Sequence, residues 1–369
     1  MSFMNVWIVV TNLQGGGAER SVINIAAALG ARGHAVRIVM LEDRIDHQVP
    51  PGISLHRIGR ANREISKGWI GKRVAAWRLR RWANELPADA RPDLVISTLP
   101  FADEVVGASG LENVWYRISN TLSAEIAALA KINPDKAKRR LARYRRLYDN
   151  QNIIAVSEGV AADLRDRLDI REAKIVTIYN PFDFAEIRRL AAAPEPALPS
   201  EPYIVHAGRF AAQKRHDVLL DSFAAANLPH RLVLLTKRSA PLRSLIAAKR
   251  LSGRVIIAGF QTNPYPWYAN ASALVLSSDF EGFPNVLVEA LACGTPVVST
   301  DCPSGPSEIL TGSLSRYLSP CGDVMALARN LTSAIGSPPR VEPEILAKFS
   351  RETALGAIEG LAVEPPDSK

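Results

Sequence analysis

Asp279-Phe280-Glu281-Gly282-Phe283-Pro284-Asn285-Val286-Leu287-Val288-Glu289 follows directly on a short apolar run, Ala273–Leu276. The run has strand length, and Pro284 suits the first turn of a helix, where a missing N–H costs nothing. A strand that enters a loop and then a helix is one step of an α/β fold. It puts Glu281 in the loop and Glu289 about one turn inside the helix. The exposed N–H groups at a helix start favour an anion such as a diphosphate. Carboxylates on either side can accept hydrogen bonds from sugar and ribose hydroxyls. Spacing alone equally permits an exposed Glu281 and an incidental helix-surface Glu289.

Outward from this stretch the same rhythm continues. Tyr203–Ala207, Arg231–Leu235, Val255–Ala258 and Pro296–Ser299 read as further strands, with helical segments such as His216–Ala226 between them. The first half repeats the alternation: strands at Asn5–Val10, Val36–Leu41, Leu94–Ser97 and Ile153–Val156, and an amphipathic helix over about 19–32. Strand, turn, helix, strand implies right-handed βαβ units on parallel sheets. With 369 residues the chain fits two domains of roughly 150–200 residues. The expectation is α/β, with two Rossmann-like, doubly wound domains. Residues 1–182 form the first and 183–369 the second, the latter including a C-terminal helix over 344–360. Pro194, Pro196, Pro199 and Pro202 mark a semi-rigid connector, and the hinge falls between Asn180 and Pro202.

Two glycine turns follow strands. Gly208-Arg209-Phe210 comes after Tyr203–Ala207, with Lys214 five residues beyond Arg209. Cations past the carboxyl end of an α/β strand can neutralise a leaving diphosphate, or can be ordinary surface charge. In the first half Gln14-Gly15-Gly16-Gly17-Ala18-Glu19-Arg20 resembles a dinucleotide-binding turn, and Glu42 or Asp43 would then hold a ribose. Arg20 stands where the third glycine of that fingerprint belongs. A tight turn without ligand reads as well.

The composition narrows the setting. Cys293, Cys302 and Cys321 form neither a disulfide framework nor a metal motif, which suits a reducing cytosol. No Asp-x-Asp is present, so the usual carboxylate pair for a catalytic divalent ion is missing. Residues 1–10 read as a strand rather than a signal peptide, and no run reaches ~18 apolar residues, the length a membrane span needs. The net charge of +8 is uneven. Lys67–Arg81 has six basic residues and no acidic one, interleaved with Trp69, Ile70, Val74 and Trp77 and followed by Trp82. Lys136–Arg146 has seven basic residues in eleven. Either cluster alone can be a solvated helix face. The two together suit an anionic membrane surface or a phosphorylated glycan.

Taken together, Gly16-Gly17-Ala18-Glu19-Arg20, Ala155-Val156-Ser157-Glu158-Gly159, Asn180-Pro181, Gly208-Arg209 with Lys214, Gly259-Phe260-Gln261 with Asn263-Pro264-Tyr265-Pro266, Glu281 through Glu289, and Asp301 through Glu308 resemble glycosyltransferase family 4. The nearest likeness is to the branch that builds bacterial lipopolysaccharide and lipid-linked glycans. The resemblance implies the GT-B architecture, two Rossmann-like domains facing across a cleft, acceptor on the first and nucleotide-sugar on the second. It implies retention of anomeric configuration with no metal and no cofactor. The leaving phosphate itself would take the acceptor proton.

By position, Glu281, Arg209 and Lys214 would be the catalytic residues, Glu281 touching the donor sugar. Glu289 would hold the ribose, while Gly208, Gly282, Phe283, Pro284 and Asn285 would complete the donor site. Gly16 and Gly17 would approach the diphosphate. Two departures stand out. Ser119 occupies the place of a histidine common in the family, and Arg117 or Asn120 would take over its contacts on the acceptor side. Thr236-Lys237-Arg238-Ser239 replaces a Gly-Asp-Gly turn, as an added nucleotide contact or an exposed loop.

The expected reaction is therefore transfer from a UDP-sugar to a lipid-linked or lipopolysaccharide-type acceptor. It would take place on the cytoplasmic face of the inner membrane, held there by 67–81 and 136–146. A GDP-mannose-dependent mannosyltransferase, a nucleotide-sugar epimerase and a non-catalytic carbohydrate-binding subunit are the competing readings. A nicotinamide-dependent dehydrogenase would leave Glu281, Glu289, Arg209 and Lys214 without a role.

Overall fold

The computed structural model describes residues 3–14, 16–46, 49–59, 65–66 and 68–363. Gly15 of the first glycine turn, Lys67 at the head of the first basic cluster and residues 364–369 lie outside them. The chain divides into two compact units, residues 1–181 with 351–369, and residues 182–350.

The first unit is built on a seven-stranded parallel sheet. Its strands are β1 (Asn5–Val10), β2 (Ala35–Met40), β3 (Ser54–Arg57), β4 (Leu94–Thr98), β5 (Val114–Ile118), β6 (Asn152–Ala155) and β7 (Lys174–Thr177). The order is β3-β2-β1-β4-β5-β6-β7. Ile8 lies between Ile38 and Ile96 on one face, and Trp7 and Val9 on the other face are buried too, so the central strand is apolar on both faces, as a helix-covered parallel sheet requires. The helices are α1 (Gly17–Ala31), α2 (Trp69–Glu85), α3 (Pro100–Gly107), α4 (Leu122–Ala130), α5 (Pro134–Tyr148) and α6 (Glu158–Ala162).

The second unit repeats the design with six parallel strands. These are β8 (Tyr203–Ala207), β9 (Arg231–Leu235), β10 (Val255–Ile257), β11 (Ala273–Leu276), β12 (Val297–Thr300) and β13 (Leu318–Ser319), in the order β10-β9-β8-β11-β12-β13. Its helices are α7 (Phe184–Ala191), α8 (His216–Ala226), α9 (Ala240–Ala248), α10 (Tyr265–Ala269), α11 (Asn285–Ala292), α12 (Pro306–Ile309), α13 (Val324–Gly336) and α14 (Pro343–Ala347). In both sheets the order reverses beside the first strand, the doubly wound pattern.

The units divide at 181/182, and two segments sit elsewhere than the sequence expectation put them. The proline-rich stretch 191–202 lies inside the second unit, because Asn263 donates to the Leu190 carbonyl (3.0 Å) and Phe182 N–H donates to the Phe349 carbonyl (3.1 Å). The expected helix 344–360 is broken into α14 and α15 (Arg351–Val363), and α15 returns to the first unit. Ala354, Leu355, Ile358 and Leu361 join the core of β1 and α1, and Glu359 pairs with Arg32 (2.8 Å) and His34 (3.0 Å). An amphipathic pattern announces a helix with a buried face. It does not say which core receives that face.

Candidate functional site

In a doubly wound sheet the strand-order reversal opens a crevice beyond the carboxyl ends of the two flanking strands. In the second unit those strands are β8 and β11, which pair directly through Ile204 and Leu274. The loops leaving them are Gly208–Arg215 and Ser277–Pro284. The residues marked in the second-half sequence are brought to this edge by topology.

Lys214 Nζ lies 2.5 Å from Glu281 Oε1, and Ser278 Oγ donates to the same oxygen at 2.6 Å. Glu281 is 7% exposed, so this pair is well shielded from water. The loops are sewn together on the main chain as well. Asp279 N–H donates to the Gln213 carbonyl (2.9 Å), and Gln213 Nε2 donates to the Phe280 carbonyl (2.5 Å). Ser277 Oγ donates to the Lys214 carbonyl (2.8 Å). Gly208 is closely packed: a Cβ there would lie 3.2 Å from His206 Nε2 and in ordinary contact, 3.5 Å, with the Lys214 chain.

Arg215, which the motif reading passed over, is the clamp between the loops. It is left-handed (φ 46°, ψ 54°), which costs a non-glycine residue on the order of 1 kcal/mol. Its guanidinium donates to Asp217 (2.8 Å) and to Asp279 (3.0 Å), offsetting that strain. No spacing rule marks such a residue, since its second partner, Asp279, comes from a different loop.

Beneath Lys214, the buried His206 puts Nδ1 2.9 Å from the Val275 carbonyl, and its ring stands 4.9 Å from that of His216. Burial, with the Lys214 charge adding to it, lowers the His216 pKa to about 4. His206 also lies well below the usual range, through burial and the neighbouring His216. Both imidazoles are therefore neutral at neutral pH.

The other second-half residues have mixed fates. Glu289 is the fifth residue of α11 and is buried. Pro284 precedes the helix, which starts at Asn285 rather than at the proline. Phe283 turns inward, with its ring 5.2 Å from Phe349 and 6.3 Å from Phe182, so its side chain anchors the loop. Gly282 is buried, Asn285 half-buried, and Arg209 lies exposed. Arg238 is exposed, with Nε donating to the Ile257 carbonyl (3.1 Å), while Ser239 caps α9.

In the first unit Gly16 precedes α1 and its N–H donates to the Glu19 carboxylate (3.1 Å), so an acidic side chain already sits at that helix start; Gly17 is exposed. Glu42 is buried and accepts from Asn12 (3.0 Å), and Asp43 pairs with Arg57 (2.6 Å), so both proposed ribose ligands are engaged locally. Arg117 corrects the sequence expectation. It lies in β5, 3% exposed, and donates to Ser21 Oγ (2.9 Å) and to Asn180 Oδ1, so its side chain ties the unit together internally. Burial lowers its pKa to about 10. Ser119 and Asn120 are half-buried beyond the end of β5.

Two family models match the chain, Glycosyltransferase Family 4 over residues 15–186 and Glycosyl transferases group 1 over 201–337. The chain is a glycosyltransferase of the family 4 type. Its relatives include an N-acetylgalactosaminyltransferase of Campylobacter jejuni that acts on a diphospho-undecaprenol-linked glycan by name. The two are 26% identical over 82% of each chain. A lipopolysaccharide 1,6-galactosyltransferase of Escherichia coli K12 is 30% identical over 52% of this glycosyltransferase and 54% of its own length. Among solved structures, sucrose-phosphate synthase of Thermosynechococcus elongatus superposes with a TM-score of 0.72 at 18% identity, covering 98% and 96% of the two chains. Anabaena HepE, in complex with UDP and glucose, gives 0.67 at 19% identity over 96% and 95%. The glycosyltransferase thus has the GT-B type of fold.

Proposed function

We propose that this glycosyltransferase moves a sugar from a UDP-linked donor to a lipid-linked or lipopolysaccharide-type glycan, with retention of configuration and without a metal ion. The observation that carries the reading is the shielded Lys214–Glu281 pair at the β8/β11 crevice. A fixed cation and a fixed carboxylate side by side, locked by Ser278 and by the Arg215 clamp, suit a diphosphate and the sugar hydroxyls next to it. The acceptor class is supported by the names of the Campylobacter and Escherichia relatives, and the UDP donor by the ligands of HepE.

In this reading Lys214 and Arg209 neutralise the departing diphosphate, Glu281 orients sugar hydroxyls and Glu289 holds the ribose. The donor lies along Gly208 and the 282–285 loop. The acceptor hydroxyl adds to the anomeric carbon on the face that the diphosphate leaves. The carbon–oxygen bond to the phosphate breaks, and a phosphate oxygen takes the hydroxyl proton. Asn120 is the remaining acceptor-side candidate. Because the acceptor is lipid-borne, the enzyme works at the cytoplasmic membrane face.

A thermal-shift panel across UDP, GDP, ADP and their sugars tests the donor, since a ligand bound only by the native state raises its stability. A UDP-selective rise is expected. A GDP-selective rise would replace the donor assignment with the mannosyltransferase reading, and no response to any nucleotide would end it.

A further inference from the structure

The way α2 is mounted on the first unit is the reverse of an ordinary surface helix. Ala75, Ala76, Leu79 and Ala83 face the core. On the opposite side Ile70, Val74, Trp77 and Arg81 recur at helical spacing and point to solvent. Ile70 is 70% exposed, Val74 41% and Trp77 58%, and Trp69 at the helix start is 72% exposed. Three alanines, Leu79 and Trp82, which stacks on Trp7 and His56, make the inner contact, while four further large apolar residues are left outside, an arrangement that costs solvation unless something covers it.

The rim of this stripe is cationic. Arg73 lies 5.4 Å over the Trp69 ring and Arg81 5.6 Å over Trp77, and Arg78 and Arg80 flank them. The one carboxylate on the helix, Glu85, is paired with Arg81 (2.8 Å). Indole rings with guanidinium groups beside them suit the boundary between lipid headgroups and acyl chains. Among the described residues no helix is long and apolar enough to cross a membrane. A second copy of the chain fits poorly, because a two-fold contact would press one cationic stripe against another.

The second basic cluster supports the same surface only in part. Glu104 of α3 receives Lys72 of α2 (2.6 Å) and Arg143 of α5 (3.1 Å), which ties the three helices together. Arg140 is spent on Glu125, and Arg145 Nε donates to the Leu168 carbonyl (2.7 Å). Lys136, Lys138, Arg139, Arg145 and Arg146 are the exposed ones. We infer that the Trp69–Ile70–Val74–Trp77 stripe of α2, ringed by its arginines, docks the first unit onto an anionic lipid bilayer. The inference rests on the proposed lipid-borne acceptor and deepens it by naming the surface that meets the membrane.

Flotation of the full chain with vesicles of phosphatidylcholine, alone and mixed with anionic phosphatidylglycerol, tests this. The wild type should bind the anionic vesicles, and binding should weaken at high salt. Trp69→Ala/Trp77→Ala should lower partition on the order of tenfold or more, and Arg73→Gln/Arg78→Gln should reduce the salt sensitivity. Both variants should keep the wild-type melting temperature and the UDP-induced shift. Unchanged partition in the tryptophan variant overturns the docking surface, as does equal binding to neutral and anionic vesicles. Self-association abolished by Trp77→Ala, or binding to an oligonucleotide in place of vesicles, overturns it too. Loss of the UDP shift in the wild type with intact vesicle binding would end the donor reading alone.

Discussion

Lys214 and Glu281 stand 67 residues apart in the chain, yet Nζ and Oε1 are 2.5 Å apart in the fold. The pairing of β8 with β11 brings them together, and Ser278 holds the shared oxygen from the other side. An ion pair so shielded is expensive to break from one side only, because the surviving charge stays desolvated. It is also the feature on which a charged substrate would act.

Lys214→Ala and Arg209→Ala should each cost about 2–4 kcal/mol in transition-state stabilisation, read from kcat/KM. Their effects on stability should differ. Lys214→Ala abandons the buried Glu281 carboxylate and should lower the melting temperature, whereas the exposed Arg209 should leave it unchanged. Full turnover in both variants would remove the phosphate-binding assignment.

The left-handed Arg215 offers a comparison of two substitutions. Arg215→Ala and Arg215→Gly both forfeit the bonds to Asp217 and Asp279. Glycine is spared the backbone strain and should be the more stable of the two by about 0.5–1 kcal/mol in denaturant titration. Equal stabilities would show that the strain is not stored there.

Gly305 has φ 105°, and a Cβ on it would fall 2.4 Å from Pro284 Cδ and 3.1 Å from Phe283 Cα. Neither neighbour is a flexible chain end. Gly305→Ala should destabilise the fold by about 2 kcal/mol or more and displace the Glu281 loop, weakening the nucleotide shift in the same thermal assay.

Asp103 is fully buried, accepting from Ser97 (2.6 Å) and Tyr148 (2.7 Å). Burial outweighs those bonds and raises its pKa from 3.8 to about 7. Between these values the folded protein holds the proton more tightly than the unfolded chain does. The stability it contributes is complete below the lower value and is lost as pH rises through about 7. His216, lowered to about 4 from 6.5, acts in the opposite sense, its contribution falling away on acidification below neutral. Melting curves of Asp103→Asn should therefore lose the decline with rising pH and retain the acid-side one. An unaltered profile would contradict the assignment.

Leu355 on α15 packs in the first unit's core, so Leu355→Ala should cost about 2–5 kcal/mol in unfolding free energy. If α15 contributed nothing to that core, the loss would be within a few tenths of a kcal/mol.

Strands such as Tyr203–Ala207, Arg231–Leu235 and Ala273–Leu276, and the helix His216–Ala226, were legible to the residue. So was the family resemblance carried by the glycine turns and paired glutamates. These are local properties: apolar runs buried on both faces, and turn chemistry between them. Val114–Ile118 escaped as a strand because Arg117 interrupts its apolar pattern, and only the fold supplies Ser21 and Asn180 to receive that guanidinium in the interior. The return of α15 to the first unit, the inward turn of Phe283 and the clamp made by Arg215 were decided in three dimensions, as was the outward face of α2. A sequence pattern records which face of a segment is apolar. What meets that face, or which loop a charge will reach, depends on strand order and on contacts between residues far apart in the chain.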